Sequence, residues 1–191
     1  MSTGPRVVVA EDESIIRMDL VESLAAAGCE VVGQAADGLT AIALVRELRP
    51  DVALLDIQMP ELDGLQVAEQ ILEERICAVV MVTAFSQTAL VERAADAGAM
   101  GFLVKPVQPT DLLPAIAVAR AGFAQREQLL GQVQDLEQQL ETRKLIDRAK
   151  AVLQQRHGMS ESDAFRWLQK AAMDQRSSMR SVAEALLRST V

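Results

Sequence analysis

An unbroken apolar run, Val52-Ala53-Leu54-Leu55, stops dead at an acid, Asp56, and is followed by a Met59-Pro60 turn and by Asp63-Gly64. A run of that length with no polar alternation reads as a strand covered on both faces. That places Asp56 at the carboxyl end of a buried strand. In open α/β sheets ligands gather along that edge, because the strands hold the loops that carry the chemistry.

The sequence before and after this run alternates strand and helix. RVVVA at 6–10 is a strand, and Ser14 can cap a helix over 15–27, where Ile15, Ile16, Leu20 and Leu24 recur at helical spacing before Gly28 ends it. Val31-Val32 predicts a short second strand, and Asp37 caps a helix closed by Pro50. Past the central strand, the pattern predicts a helix over 64–74, a strand over 78–83, a short helix over 90–97 stopped by Gly98, a strand over 102–104 and a helix from Asp111. Five short βα units imply a doubly wound parallel sheet with helices on both faces.

The other strand ends supply the chemistry. The first strand runs into Glu11-Asp12-Glu13, the fourth ends at Thr83, and the fifth is followed by Lys105-Pro106. Clustered carboxylates repel unless a hard cation sits among them, and Mg²⁺, with oxygen ligands and retained waters, suits such a set. Lys105 offers a point charge and Thr83 a hydroxyl to a phosphoryl oxygen, with Asp56 as the attacking carboxylate. The single histidine, His157, excludes a zinc cluster of the histidine type. Cys29 and Cys77, 48 positions apart, read as small buried residues and not as a disulfide framework.

Over residues 5 to about 122 these positions resemble the receiver domain of two-component response regulators, which has a flavodoxin-like fold. The resemblance implies that Glu11 and Asp12 hold Mg²⁺ with Asp56 and the backbone carbonyl of Gln58. It also implies that Asp56 accepts a phosphoryl group from a sensor histidine kinase, that Thr83 and Phe102 are the switch pair, and that the Lys105–Pro106 bond is cis. Gln58 and Phe85 stand where the family tunes dephosphorylation. Such a domain is not a separate enzyme, since it assists only its own phosphoryl transfer and dephosphorylation.

Beyond Arg120 the register changes. Leu129, Val133, Leu136 and Leu140 follow one another at intervals of 4, 3 and 4, about two heptads, which suits either a short dimerising coiled coil or a solvated linker helix with one apolar stripe. Next, Leu145, Ile146, Ala149, Val152 and Leu153 form a stripe whose internal spacing repeats in Ala164, Phe165, Leu168, Ala171 and Ala172, with Val182, Ala183, Leu186 and Leu187 as a shortened third copy. Gly158 is a stop signal and Ser160 a cap facing Asp163, so three short amphipathic helices packed together are expected. The expected organisation is 1–122, a linker helix over 123–142, and a small all-α domain over 143–191. Charge divides the same way: residues 1–142 carry 9 basic against 22 acidic residues, and 143–191 carry 10 against 5.

The C-terminal pattern, with Ala149-Lys150, Gly158-Met159-Ser160, Ala164-Phe165, Leu168, Ala171 and Val182-Ala183, resembles the ANTAR domain over about 124–188. That resemblance implies binding of RNA hairpins in nascent transcripts and antitermination. Outside the apolar stripe, Arg143, Lys144, Arg148, Lys150, Arg166 and Lys170 are the candidate RNA contacts. Trp167, the only tryptophan, is expected to pack at the stripe's edge. A phosphorylation-controlled dimerising or protein-docking adaptor without RNA is the competing reading. No apolar run approaches the ~20 residues of a membrane span, and a cytoplasmic protein is expected.

Overall fold

The computed structural model describes residues 4–84 and 99–189. The helix expected over 90–97, its stop at Gly98, and Phe85 lie outside the described residues. The chain divides into two compact units, 1–128 and 129–191.

The first unit is built on five parallel strands, β1 (Arg6–Ala10), β2 (Glu30–Ala35), β3 (Val52–Asp56), β4 (Ala78–Thr83) and β5 (Gly101–Val104), in the order β2-β1-β3-β4-β5. The two central strands behave as their apolar runs require, every residue of β3 and β4 being buried. Strand β2 is longer than the Val31-Val32 pair alone predicts. Parallel pairing with β1 extends it from Glu30 to Ala35, with a register shift between Val7 and Val8. Helices cover both faces. Helices α2 (Gly38–Leu48) and α3 (Gly64–Glu73) pack Ile42, Val45, Val67 and Ile71 against Val8, Ala53 and Met81. On the other face α1 (Ser14–Ala26) and the start of α4 (Pro109–His157) pack Leu20, Leu24, Leu112 and Ile116 against Val7, Leu54 and Val80.

The caps explain the starts of the helices. Asp37 accepts the amide of Thr40 at 2.7 Å, and Asp63 forms a reciprocal capping box with Gln66. Ser14 does not cap α1: the helix already includes it, Glu13 occupies the N-cap, and no side-chain bond closes that end. Gly28 takes φ +83 directly after α1, a conformation open to glycine at little cost. Cys29 and Cys77 are both buried and free. Burial pushes the Cys77 thiol up to about 12.

The second unit contains the later part of α4, then α5 (Glu161–Asp174) and α6 (Met179–Arg188). The first of the three expected short helices is not a separate element. It is the end of α4, 49 residues long, because no proline falls between Pro114 and Gly158 and the intervening Gln, Glu, Leu, Ala and Arg residues favour helix. Gly158 at φ +63 then ends it, and Ser160 accepts the amide of Asp163 to begin α5. Ala149, Leu153, Ala164, Leu168, Ala172, Val182 and Ala183 form the small core. Among the described residues no helix is long and apolar enough to cross a membrane.

Candidate functional site

The carboxyl ends of β1, β3, β4 and β5 meet on one rim. Hydrogen bonds continue past the strands and fix the loops: the Glu11 amide donates to Ala35 at 3.1 Å, the Ile57 amide to Val82 at 3.2 Å and the Lys105 amide to Thr83 at 2.8 Å. Gly64 meets a steric demand here. A Cβ at that position would stand 1.9 Å from the Asp56 carbonyl oxygen, so the chain after Asp56 folds back only with glycine.

Three carboxylates converge on this rim. Glu11, Asp12 and Asp56 each offer an oxygen, and these oxygens all lie within 4.8 Å of one another. Glu11 is wholly buried and Asp56 nearly so, whereas Asp12 is exposed. Lys105 Nζ donates to Glu11 Oε1 and to Asp56 Oδ2, both at 2.9 Å. Glu11 Oε2 lies 2.7 Å from the same nitrogen but accepts no directed hydrogen bond. Burial raises the Glu11 carboxyl above its ordinary value, with the Asp56 charge adding to the rise and Lys105 opposing it. Burial works against the Lys105 ammonium too, but its bonds to Glu11 and Asp56 outweigh that and hold its pKa above the usual lysine value. One partly buried lysine thus balances part of the charge of three acids. An under-bonded buried oxygen and an all-oxygen donor set suit a hard divalent cation.

A cavity of about 610 Å³ opens over these groups, lined among others by Asp12, Asp56, Gln58, Thr83 and Lys105 and by the apolar Ile15 and Val107. Thr83 is buried at the end of β4, and the Lys105–Pro106 bond is cis. Phe102, partly buried on β5, packs against the α2/α3 face. One contributor is invisible to motif reading: Arg17, on α1, donates Nη1 to the carbonyl of Glu11 at 2.6 Å and lies 3.5 Å from that of Asp12.

This chain matches the response regulator receiver domain over residues 7–117. The chain belongs to the response regulator family. It also matches the ANTAR domain over 134–187. This response regulator is 52% identical over 182 residues to the transcriptional regulatory protein PdtaR of Mycobacterium tuberculosis, an alignment that covers 95% of this chain and 89% of that one. Among solved structures it resembles the NarL signal receiver domain of the same species, with a TM-score of 0.60 and 36% identity over 62% of this chain and 98% of that one. It also resembles the CheX-CheY-BeF3-Mg complex of Borrelia burgdorferi, with a TM-score of 0.55 and 27% identity over 58% of this chain and 85% of that one. The protein is a phosphorylation-regulated response regulator carrying an RNA-binding antiterminator domain.

The six basic residues expected to contact RNA differ in what surrounds them. Lys150 is held at 2.8 Å by both Asp147 and Glu161, bonds that raise its own pKa and lower that of Asp147. Arg166 pairs with Asp163 at 3.3 Å. Arg143 and Lys150 line one hollow with Arg180, a residue the sequence patterns did not single out. Arg166 lines a neighbouring hollow. Lys144, Arg148 and Lys170 line neither of these two hollows. Phe165 departs from the stripe it belongs to, being 44% exposed, and Trp167 is 41% exposed.

Proposed function

We propose that Asp56 accepts a phosphoryl group from the phosphohistidine of a sensor kinase. The supporting observation is Asp56 at the end of β3, within hydrogen-bond distance of Lys105 and beside Glu11 and Asp12. An Asp56 oxygen bonds to phosphorus as the phosphorus–imidazole bond breaks, and the imidazole leaves with the electron pair. Lys105 Nζ is the donor for a phosphoryl oxygen, and Thr83 is the hydroxyl that turns toward it. Glu11, Asp12, Asp56 and the backbone carbonyl of Gln58 would hold Mg²⁺, the ion named with the fluoride mimic in the chemotaxis complex this chain resembles. Bound there, Mg²⁺ would neutralise charge on the transferring group. The receiver performs no reaction beyond its own phosphorylation and dephosphorylation.

The space Thr83 vacates is filled by Phe102 turning inward, which alters the face that includes β5 and the start of α4. With the receiver assigned to 1–122, the linker to 123–142 and the RNA module to 143–191, α4 is the only described element common to all three. Leu129, Val133, Leu136 and Leu140, each more than half exposed, form the seam for a second copy of the chain. Two copies present two RNA modules to a pair of hairpins in a nascent transcript, in the cytoplasm, and prevent a terminator from forming.

The test is labelling of the full chain by a small phosphodonor with and without Mg²⁺. The parent is labelled only with the metal, and Asp56→Asn is not labelled at all. Equal labelling of Asp56→Asn would overturn the assignment.

A further inference from the structure

We infer that Phe165 is a stacking platform for an unpaired RNA base, with Arg143 and Arg180 holding that nucleotide's phosphate. The inference rests on the RNA-binding reading and names the ligand group and its seat.

Phe165 is out of place as a core residue. Its spacing puts it in the stripe of α5, where Ala164 and Leu168 are fully buried and Ala172 is 6% exposed, yet nearly half of Phe165 meets solvent. It stands on the border of two hollows. One, about 750 Å³, lies between the α4 segment around 138–150, Phe165, and Met179 and Arg180 at the start of α6. The other, about 630 Å³, is lined by Lys150, Glu161, Ser162, Phe165 and Arg166. A half-exposed aromatic ring that borders two hollows, with arginines among their lining, is the arrangement single-stranded RNA sites use, since every base has a face to stack.

The charges in the larger hollow select among ligands. Asp135 and Asp147 line it too, and Lys150 is occupied by Asp147 and Glu161, so the groove does not suit a polyphosphate. Arg143 makes no ion pair within 4 Å and no hydrogen bond among the described residues, though its charge, after that of Lys150, helps lower the Asp147 carboxyl. Arg180 is engaged by Glu184 through Nε at 2.9 Å, which leaves its terminal nitrogens as further donors. One flat base and one phosphate match this supply.

The experiment uses the full chain and hairpins that it enriches from a pool with randomised loops. Phe165→Leu keeps apolar bulk and loses stacking: its affinity is expected to fall roughly ten-fold with an unchanged salt slope, while Phe165→Tyr binds like the parent. Arg143→Gln is expected to weaken binding and reduce the salt slope by about one. Independently of any variant, 5-iodouridine in the enriched loop should photo-crosslink to Phe165. Parent-like binding by a folded Phe165→Leu, or crosslinks confined to the face of Lys144 and Arg148, would overturn the inference while leaving RNA binding intact. If the parent enriches no hairpin, the RNA-binding reading falls and this inference falls with it.

Discussion

Lys105 Nζ lies 2.9 Å from Asp56 Oδ2, joining the loop after β5 to the end of β3 across the intervening strand β4. The ammonium is a ready donor for an oxygen of a group carried on Asp56. Lys105→Met is expected to slow Mg²⁺-dependent labelling by roughly 10²-fold, the loss typical when one donor to a developing charge is removed. Labelling rates at saturating Mg²⁺ check this, and a parent-like rate would contradict it.

Arg17 binds the carbonyl of Glu11 at 2.6 Å and so fixes the loop that presents two of the three acids. Arg17→Ala is expected to raise the concentration of Mn²⁺ needed for half-saturation by roughly ten-fold, with Arg17→Lys restoring part of it, as for other outer-shell partners of metal ligands. Titration of free Mn²⁺ by electron paramagnetic resonance reads this without any phosphorylation. Unchanged Mn²⁺ binding in a folded Arg17→Ala would refute it.

Burial raises Glu11 above its ordinary 4.5. The acid form is thus favoured by the fold, and the stability it contributes without metal is present below 4.5 and lost as pH rises through the folded value. Cation binding needs the carboxylate and runs the other way. Mn²⁺ affinity is expected to weaken as pH falls through a value above 4.5, and Glu11→Gln should remove that dependence together with most of the binding. A loss setting in only below 4.5 would contradict it.

Leu168 is fully buried in the small core of the second unit. Leu168→Ala is expected to cost about 2–5 kcal/mol in that unit, and loss of the Ser160 cap in Ser160→Ala about 1 kcal/mol. Hydrogen exchange of α5 and α6 amides reports both. Labelling of Asp56 should remain at the parent level.

The seam is expected to be self-complementary. Leu136→Lys, a charge at a position 63% exposed in one copy, should shift sedimentation toward monomer and lower affinity for a two-hairpin RNA far more than for one hairpin. Equal loss on both RNAs would argue against pairing through this face.

Much of the receiver was legible because its signals are local. Apolar runs such as VALL and AVVMV allow no partly exposed alternative, and the acids, Thr83 and Lys105 follow directly from where those runs end. Asp37 and Ser160 announced their helices through caps that depend only on residues three positions on, whereas the capping box of Asp63 with Gln66 emerged from the structure. What escaped depends on distant partners. Stripe spacing shows that Phe165 faces the second unit's core side, but not that α6 leaves it uncovered. Counting cations makes Lys150 look available, whereas Glu161, across the turn at Gly158, occupies it. Arg17 carries no motif, since its bond is to backbone, and the continuity of α4 reflects stop signals that the sequence lacks.

The two buried thiols offer a practical opening. With Cys77 pushed up to about 12 and Cys29 also raised by burial, neither supplies thiolate near neutrality. A single cysteine introduced at an exposed position, such as Val133→Cys on the seam, would be the preferred target of a maleimide spin label in an otherwise natural chain. Spectroscopy between two such labels could then follow how far apart two copies stand before and after phosphorylation.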